Sequence, residues 1–128
     1  MKTFVFAIVS FLAVASAAPL EARADSAVLV CTEANWGGEC ETIPVTWNQC
    51  AQLPSKFLKN VGSLKPSTGQ FCRVTYTADT CTTHGDAFID PTPGAPDLHH
   101  FEDPATQEVI DAGSKITSLL CQQCTGCQ

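Results

Sequence analysis

The sequence predicts an all-β domain built from two related units and cross-linked by disulfides. Three observations lead to this prediction. Runs of β-branched and apolar residues alternate with turn-forming residues along the chain. The spacing from Cys31 to Cys40 recurs from Cys72 to Cys81, 9 positions in each case. All eight cysteines lie beyond residue 30, and an even number of cysteines in a small exported chain is typical of a disulfide framework.

Residues 1–17 have the pattern of a secretory signal peptide. Met1 and Lys2 precede an apolar run that ends in the small residues Ala15-Ser16-Ala17, which is a typical cleavage site. The run is too short to cross a bilayer, since a spanning helix needs about 20 apolar residues. We therefore predict a secreted, extracellular protein without membrane insertion. Residues 18–27 are expected to be a disordered leader or pro-segment, and residues 28–128 the folded domain.

The charge of the chain is acidic, with a formal net charge of −6. Removal of residues 1–17 takes away one charged residue, Lys2, which leaves six Lys and Arg against 13 Asp and Glu and a net charge of −7. Nucleic acids and anionic membranes are bound through Lys and Arg. Neither is therefore expected as a partner.

The first unit is predicted to span about residues 28–66. The run VLVCT at 28–32 is typical of a strand, and NWGG at 35–38 of a tight turn. The segment SKFLKNV at 55–61 predicts one or two turns of helix.

The second unit is predicted to span about residues 69–121, followed by a cysteine-rich tail at 122–128. Residues 72–77 alternate apolar and polar side chains, which indicates a strand with one face in the core. Residues 90–104 contain four of the eight prolines and predict a long loop. A helix at 107–112, stopped by Gly113, and a strand at 115–121 are expected to follow.

The two units differ in length. Ser63 follows Cys31 by 32 positions, whereas Ser118 follows Cys72 by 46, and the difference is 14. The proline-rich segment at 90–104 has about this size. We therefore interpret it as a long loop insertion in the second unit.

Three segments of the first unit, CTEANWGGEC, CAQLPSKF and NVGSL, resemble the Greek-key unit of βγ-crystallins, particularly small secreted fungal proteins of that superfamily. The resemblance implies two Greek-key units packed as a βγ-crystallin-like sandwich. It makes Trp36 the aromatic of a folded hairpin, Gly38 its strained glycine and Ser63 the serine that closes it. The second unit is degenerate: Tyr76 or Thr77 stands at the aromatic position, no glycine follows at the expected place, and Ser118 keeps the serine.

The resemblance also identifies the positions of a calcium site. Many microbial βγ-crystallins bind calcium through paired Asp or Asn residues just before the closing serine stretch. The corresponding pairs here are Leu-Lys at 58–59 and Gly-Ser at 113–114. Calcium requires hard oxygen ligands, and Lys59 would repel it. We expect weak or absent calcium binding and no cofactor.

Imidazole and carboxylate side chains that can bind zinc or copper occur in two clusters. Adjacent histidines on an extended chain point in opposite directions, so His99 and His100 would not converge on one ion. We therefore interpret both clusters as solvated polar loops. The candidate ligands are His84 and Asp86 in one cluster, and Asp97, His99, His100, Glu102 and Asp103 in the other.

The disulfide pairing stays open at this point. We expect a core set, with the last two cysteines of the tail paired to each other or to a partner chain. The core set is Cys31, Cys40, Cys50, Cys72, Cys81 and Cys121, and the tail pair is Cys124 and Cys127.

Catalysis has little support in the sequence. The serines lack a nucleophile-elbow setting, the histidines fall in one loop region, and the cysteines are expected to be oxidised. We predict a non-enzymatic secreted crystallin-like binding protein, a candidate effector or toxin-like factor, whose partner is an extracellular protein or glycan. One alternative is a protease inhibitor that presents the loop at 90–104. Another is a structural or calcium-tuned protein of a wall or matrix.

Overall fold

The computed structural model of the protein describes residues 24–127, so the predicted signal peptide lies outside the described residues. The described part is all-β, with nine strands and two short 3-10 helices. The 3-10 helices are Ala34–Trp36 and Leu98–His100. The strands are β1 (Ser26–Cys31), β2 (Cys40–Val45), β3 (Cys50–Gln52), β4 (Ser63–Pro66), β5 (Gln70–Thr75), β6 (Ala87–Ile89), β7 (Phe101–Glu102), β8 (Val109–Ile110) and β9 (Ser118–Gln123). Within residues 24–127, no helix has the length and apolar character needed to span a membrane.

The strands form two antiparallel sheets and a small hairpin. The first sheet has the order β2-β1-β4, the second has the order β3-β9-β5-β6, and β7 pairs with β8. Strand β3 belongs to the first unit but pairs with β9 of the second unit. In return, Ala95 of the second unit forms an antiparallel bridge with Leu64 of β4. Each unit therefore contributes one segment to the sheet of the other, and the two units fold as one body.

The core lies between the two sheets. Alternation along the strands decides which side chains enter it: Val28 and Val30 of β1 are buried, while Leu29 between them is partly exposed. Phe57, in the connection between β3 and β4, is the largest fully buried side chain. Gln70 is buried too, and its amide accepts a hydrogen bond from Trp47 Nε1 at 2.9 Å and donates one to the Ala27 carbonyl at 2.7 Å. These bonds satisfy its polar atoms inside the protein.

All eight cysteines form disulfides. Two bridges join directly opposed residues of neighbouring strands, Cys31 to Cys40 and Cys72 to Cys121. A third, Cys50 to Cys81, ties the exchanged strand β3 to the loop after β5. The fourth, Cys124 to Cys127, closes a small ring in the tail. The equal spacing of Cys72 and Cys81 therefore does not reflect a bridge between them.

The sheet register refines the internal repeat. Cys31 lies opposite Ser63, whereas the residue opposite Ser118 is Thr75. Thr75 is thus the counterpart of Cys31, and the cysteine-based alignment of the two units was offset by three positions. Cys72 corresponds instead to Val28 on the inner face of the strand.

The same register locates the extra residues of the second unit. Ala51 lies opposite Leu119 and Ala95 lies opposite Leu64, so the two alanines are counterparts. Ser63 follows Ala51 by 12 positions and Ser118 follows Ala95 by 23. The 11 additional residues therefore fall between Ala95 and Ser118. This stretch contains the hairpin β7–β8 and overlaps only the second half of residues 90–104.

Several predicted element boundaries were wrong. The helix expected at 107–112 does not form, because Val109–Ile110 pair with Phe101–Glu102 as β8. Residues 55–61 make hydrogen-bonded turns rather than a helix, with the Phe57 and Leu58 N–H groups both donating to the Pro54 carbonyl. Strand β1 begins at Ser26, two residues before the run at 28–32 from which it was predicted. The last strand spans Ser118–Gln123 instead of 115–121 and so extends into the predicted tail.

Candidate functional site

The folded hairpin of the first unit is held by Ser63. Its Oγ accepts a hydrogen bond from the Trp36 N–H at 3.1 Å and donates one to the Glu33 carbonyl at 2.7 Å. Gly38 has a φ of 74°, and a methyl group there would lie 2.4 Å from Thr32 Oγ1. Glycine is therefore required on both conformational and steric grounds.

The second unit uses different residues for the same purpose. Thr117 Oγ1, next to Ser118, donates to the Ala78 carbonyl at 2.6 Å. The Asp86 carboxylate accepts hydrogen bonds from the Tyr76 and Thr77 N–H groups at 2.7 and 3.0 Å. An aspartate that caps two backbone N–H groups stabilises this hairpin, which also contains a glycine with positive φ, Gly85, directly before Asp86.

Tyr76 does not cover the hairpin. Its ring is buried beside Phe101, and its hydroxyl donates to Asp103 Oδ2 at 2.6 Å. Burial first, and then the bond to Asp103, raise the pKa of Tyr76 far above its ordinary value. The bond from Tyr76 is the main cause of a lowered pKa for Asp103. This pair fastens the inserted hairpin to the second sheet.

A cleft of about 250 Å³ opens where the two units meet. It contains Lys59 and Ser114, which are the second residues of the two pairs aligned with calcium ligands. The fold thus brings the two positions together, but they carry an ammonium group and a hydroxyl group in place of carboxylates. The complete lining is Lys59, Tyr76, Thr77, Ala78, Asp79, Ser114, Lys115 and Thr117. We call it the inter-unit cleft.

Some polar side chains of the inter-unit cleft already have hydrogen-bond partners within the protein, and others do not. Besides Tyr76 and Thr117, which donate to Asp103 and Ala78, Thr77 Oγ1 donates to Asp86 at 2.8 Å and Ser114 Oγ to Asp111 at 2.7 Å. Lys59 and Lys115, by contrast, form no ion pair with any residue between 24 and 127. The two ammonium groups therefore have no carboxylate partner among the described residues.

A Ser-His-Asp cluster adjoins the cleft and was not foreseen. His99 Nδ1 lies 2.6 Å from Asp111 Oδ1, and Ser114 Oγ donates to Asp111 Oδ2 at 2.7 Å. The bond from Ser114, and secondarily the contact with His99, lower the pKa of Asp111. The cluster could not be predicted because 107–112 had been assigned to a helix and 115–121 to a strand, whereas residues 113–115 form a turn.

The geometry of this cluster does not activate the serine. A nucleophilic serine needs its hydroxyl bonded to a histidine nitrogen that is free to take the proton. Here the Ser114 hydroxyl donates to the carboxylate. The His99 nitrogen nearest to it, at 3.5 Å, is the one already engaged by Asp111. The cluster closes a turn instead.

The predicted metal ligands are dispersed. His100 Nδ1 contacts Asp97 Oδ2 at 3.1 Å, His99 contacts Asp111, and Asp86 caps backbone N–H groups. No three His, Cys, Asp or Glu side chains between residues 24 and 127 are grouped in a way that could hold a metal ion. The remaining candidates, His84 and Glu102, lie exposed on the surface.

The outer face of the second sheet carries an aromatic and cationic patch, which sequence analysis missed. The Arg73 guanidinium lies 5.1 Å from the Phe88 ring centroid and 5.9 Å from that of Phe71, and the two rings meet edge to face at 5.7 Å. Phe88 is 59% exposed. Arg73 Nη1 donates to the Thr83 carbonyl, while its buried Nε has no hydrogen-bond partner in the described part of the chain. We call this the Phe71-Arg73-Phe88 patch.

Comparison with known proteins bears on the fold. No protein-family model matches the chain, and no curated protein sequence matches it. The structure is similar to the crystal structure of a βγ-crystallin domain of Abundant Perithecial Protein from Neurospora crassa in the Ca²⁺-bound form. The TM-score is 0.51 at 11% sequence identity, over 79% of this chain and 92% of that one. At such identity the similarity concerns the fold, which is βγ-crystallin-like. The four disulfides of the present protein are typical of an extracellular protein.

Proposed function

We propose that the protein is a non-enzymatic binding protein, secreted from the cell, that presents a recognition surface on a rigid βγ-crystallin-like frame. The observation that carries this proposal is the Phe71-Arg73-Phe88 patch. A phenylalanine that stays 59% exposed forgoes most of the free energy of its burial. Aromatic and arginine side chains are also the residues that dominate binding energy in interfaces.

The frame behind the patch supports this function. Phe71 and Arg73 flank Cys72 on β5, and Cys72 is bridged to Cys121 on β9. The Cys50–Cys81 bridge braces the far side of the same sheet. A surface held this firmly loses little conformational entropy when it binds. Affinity then depends on the few side chains at its centre.

The partner we propose is an extracellular protein or glycan, and the role is that of an effector or toxin-like factor. This role rests on the resemblance of the first unit to small secreted fungal proteins. The non-enzymatic part of the proposal is supported by the arrangement at Ser114, whose hydroxyl faces a carboxylate and not a free imidazole nitrogen.

Affinity capture with matched variants tests the proposal. Purified protein, an Arg73→Ala/Phe88→Ala variant and a Val109→Ala control would be used to capture components of host or competitor extracellular fluid. Val109 is also a large exposed apolar residue, 67% exposed, and lies away from the patch on β8. We expect a component captured by the protein and the control but not by the patch variant. Equal capture by all three would contradict the proposal.

The protease-inhibitor alternative has less support. An inhibitory loop must project into a protease cleft, but residues 90–104 lie against the body of the protein. Pro91, Ala95 and Leu98 of this segment are buried, and the Ala95 N–H and carbonyl both bond to Leu64. A calcium-tuned role is disfavoured by Lys59, a cation at a ligand position.

A further inference from the structure

We infer that the inter-unit cleft is an anion-binding site, whose ligand is an oxyanion group such as the carboxylate or sulfate of an acidic sugar. The site is separate from the Phe71-Arg73-Phe88 patch and does not depend on the proposed function of that surface. It rests on the placement of Lys59 and Lys115, on the donors around them and on the size of the cleft.

The two lysines are carried by segments that are bonded to each other. Lys59 precedes β4 of the first unit, and its N–H donates to the Ile116 carbonyl at 2.9 Å. Lys115, next to Ile116, precedes β9 of the second unit and donates its own N–H to Ala112 at 2.9 Å. The backbone of both residues is therefore fixed, and both side chains line one cleft. An anion between them would be attracted by two ammonium groups at once.

The other two lysines of the described chain, Lys56 and Lys65, already have interaction partners. Lys56 bonds to Glu41 Oε1 at 2.6 Å and lies 3.6 Å from Glu39. Its bond to Glu41 is the main reason that its pKa is raised. Lys65 sits over the Trp36 ring at 5.8 Å. Lys59 and Lys115 have no such partner between residues 24 and 127 and remain available to a ligand.

Two backbone N–H groups add to the donors of the cleft. The backbone N–H groups of Ala78 and Asp79 donate to no residue of the described chain, so they are further donors at the cleft. The Asp79 carboxylate is the acidic group in the lining. Three further carboxylates, Asp86, Asp103 and Asp111, lie directly behind the lining and accept hydrogen bonds from its hydroxyl groups. Ammonium groups bind oxyanions as point charges without strict geometry.

The size of the cleft limits what it can hold. At about 250 Å³, it is smaller than the roughly 300–1,000 Å³ typical of pockets for drug-sized ligands. It suits one charged group or one sugar ring. A free acid and a single unit of an acidic polysaccharide share this chemistry, so the site does not by itself select between them.

Binding to defined probes tests the inference. Sodium sulfate and sodium galacturonate serve as free anions, polygalacturonate as the polymer, and galactose as the neutral control, with binding followed by amide NMR shifts and calorimetry. We expect sulfate or galacturonate to shift the Ala78 and Asp79 amides, galactose to leave them unchanged, and added NaCl to weaken binding. Tighter binding of polygalacturonate would identify a polymer as the source of the anion, and similar affinities a free acid.

Charge variants supply the decisive comparison. Lys59→Gln/Lys115→Gln is expected to weaken anion binding by about tenfold or more, since both charge-assisted donors are lost. Lys65→Gln, which removes a positive charge outside the cleft, should bind as the unmodified protein does. Both lysines of the cleft are exposed, so the variants should keep the thermal melt of the parent. Equal loss in Lys65→Gln, no loss in the double variant, or no binding of any anion would overturn the inference. These assays need no host partner and leave the patch intact.

Discussion

The Ser63 side chain links two segments of the first unit that lie far apart in the sequence. It bonds to Glu33 and Trp36, about thirty positions earlier in the chain. These residue types and their order suffice to predict the hairpin of the first unit. The contact between Tyr76 and Asp103 could not be predicted in this way, because it depends on where an insertion folds back.

The bond between Tyr76 and Asp103 has a measurable effect on acid titration. The hydroxyl of Tyr76 lowers the pKa of Asp103 below the ordinary value of 3.8. A carboxyl group with a lowered pKa in the folded state contributes stability that is fully present above the unfolded pKa. This contribution is lost as the pH falls from about 3.8 through the lower folded value.

Tyr76→Phe removes the donor and keeps the ring. We expect the pKa of Asp103 to rise toward 3.8, and the stability of the variant to fall at neutral pH while approaching that of the parent in acid. NMR titration of the Asp103 carboxyl carbon measures the first effect, and urea unfolding at two pH values the second. An unchanged Asp103 pKa in the variant would show that the hydroxyl does not control it.

Among the strands, those defined mainly by pairing with a distant partner could not be predicted from the sequence. Strand β1 was predictable from its run of β-branched and apolar residues, and β5 from the alternation of apolar and polar residues along it. Strand β8 was missed, since Val109–Ile110 is too short for alternation to appear and is defined only by its partner β7. The Phe71-Arg73-Phe88 patch was missed for a similar reason, because Phe88 becomes a neighbour of Arg73 only through the β5–β6 register.

The segment before β7 is an integral part of the body of the protein. Leu98 is fully buried, and its N–H donates to the Gly62 carbonyl at 2.8 Å. Leu98→Ala should therefore lower the free energy of unfolding by about 2–5 kcal/mol, as buried leucines generally do. Val109→Ala on the exposed face of β8 should change it little. Denaturant unfolding compares the two, and equal, small effects would mean that residues 90–104 form a loosely attached loop.

In the whole molecule, the two units are held together because each contributes a segment to the sheet of the other, and disulfides reinforce this arrangement. Strand β3 joins the sheet of the second unit, and Cys50–Cys81 fixes it there. The Cys72–Cys121 bridge closes a loop of 49 positions. In the chain-entropy model a loop of this length contributes about 4 kcal/mol to stability. The sequence alone identified the core set of six cysteines but not how they pair, because the pairing follows from the register of the strands.

Calcium should not stabilise this molecule. The inter-unit cleft offers the ammonium group of Lys59 at a position where a hard oxygen ligand would be needed. A ligand that binds the folded state must raise its stability. We expect thermal melts in calcium and in chelator to coincide within about 1 °C. An increase of several degrees in calcium would contradict the assignment of the cleft to anions.

We conclude that the two βγ-crystallin-like units each contribute a segment to the sheet of the other and are locked together by specific disulfides. Mass spectrometry of peptides from unreduced protein, digested at low pH to prevent exchange, tests it most directly. We expect three bridges within the core, Cys31–Cys40, Cys50–Cys81 and Cys72–Cys121, and Cys124–Cys127 in the tail. A Cys72–Cys81 bridge or free thiols at Cys50 and Cys81 would contradict it, because the exchanged strand would then not be fastened to the second unit.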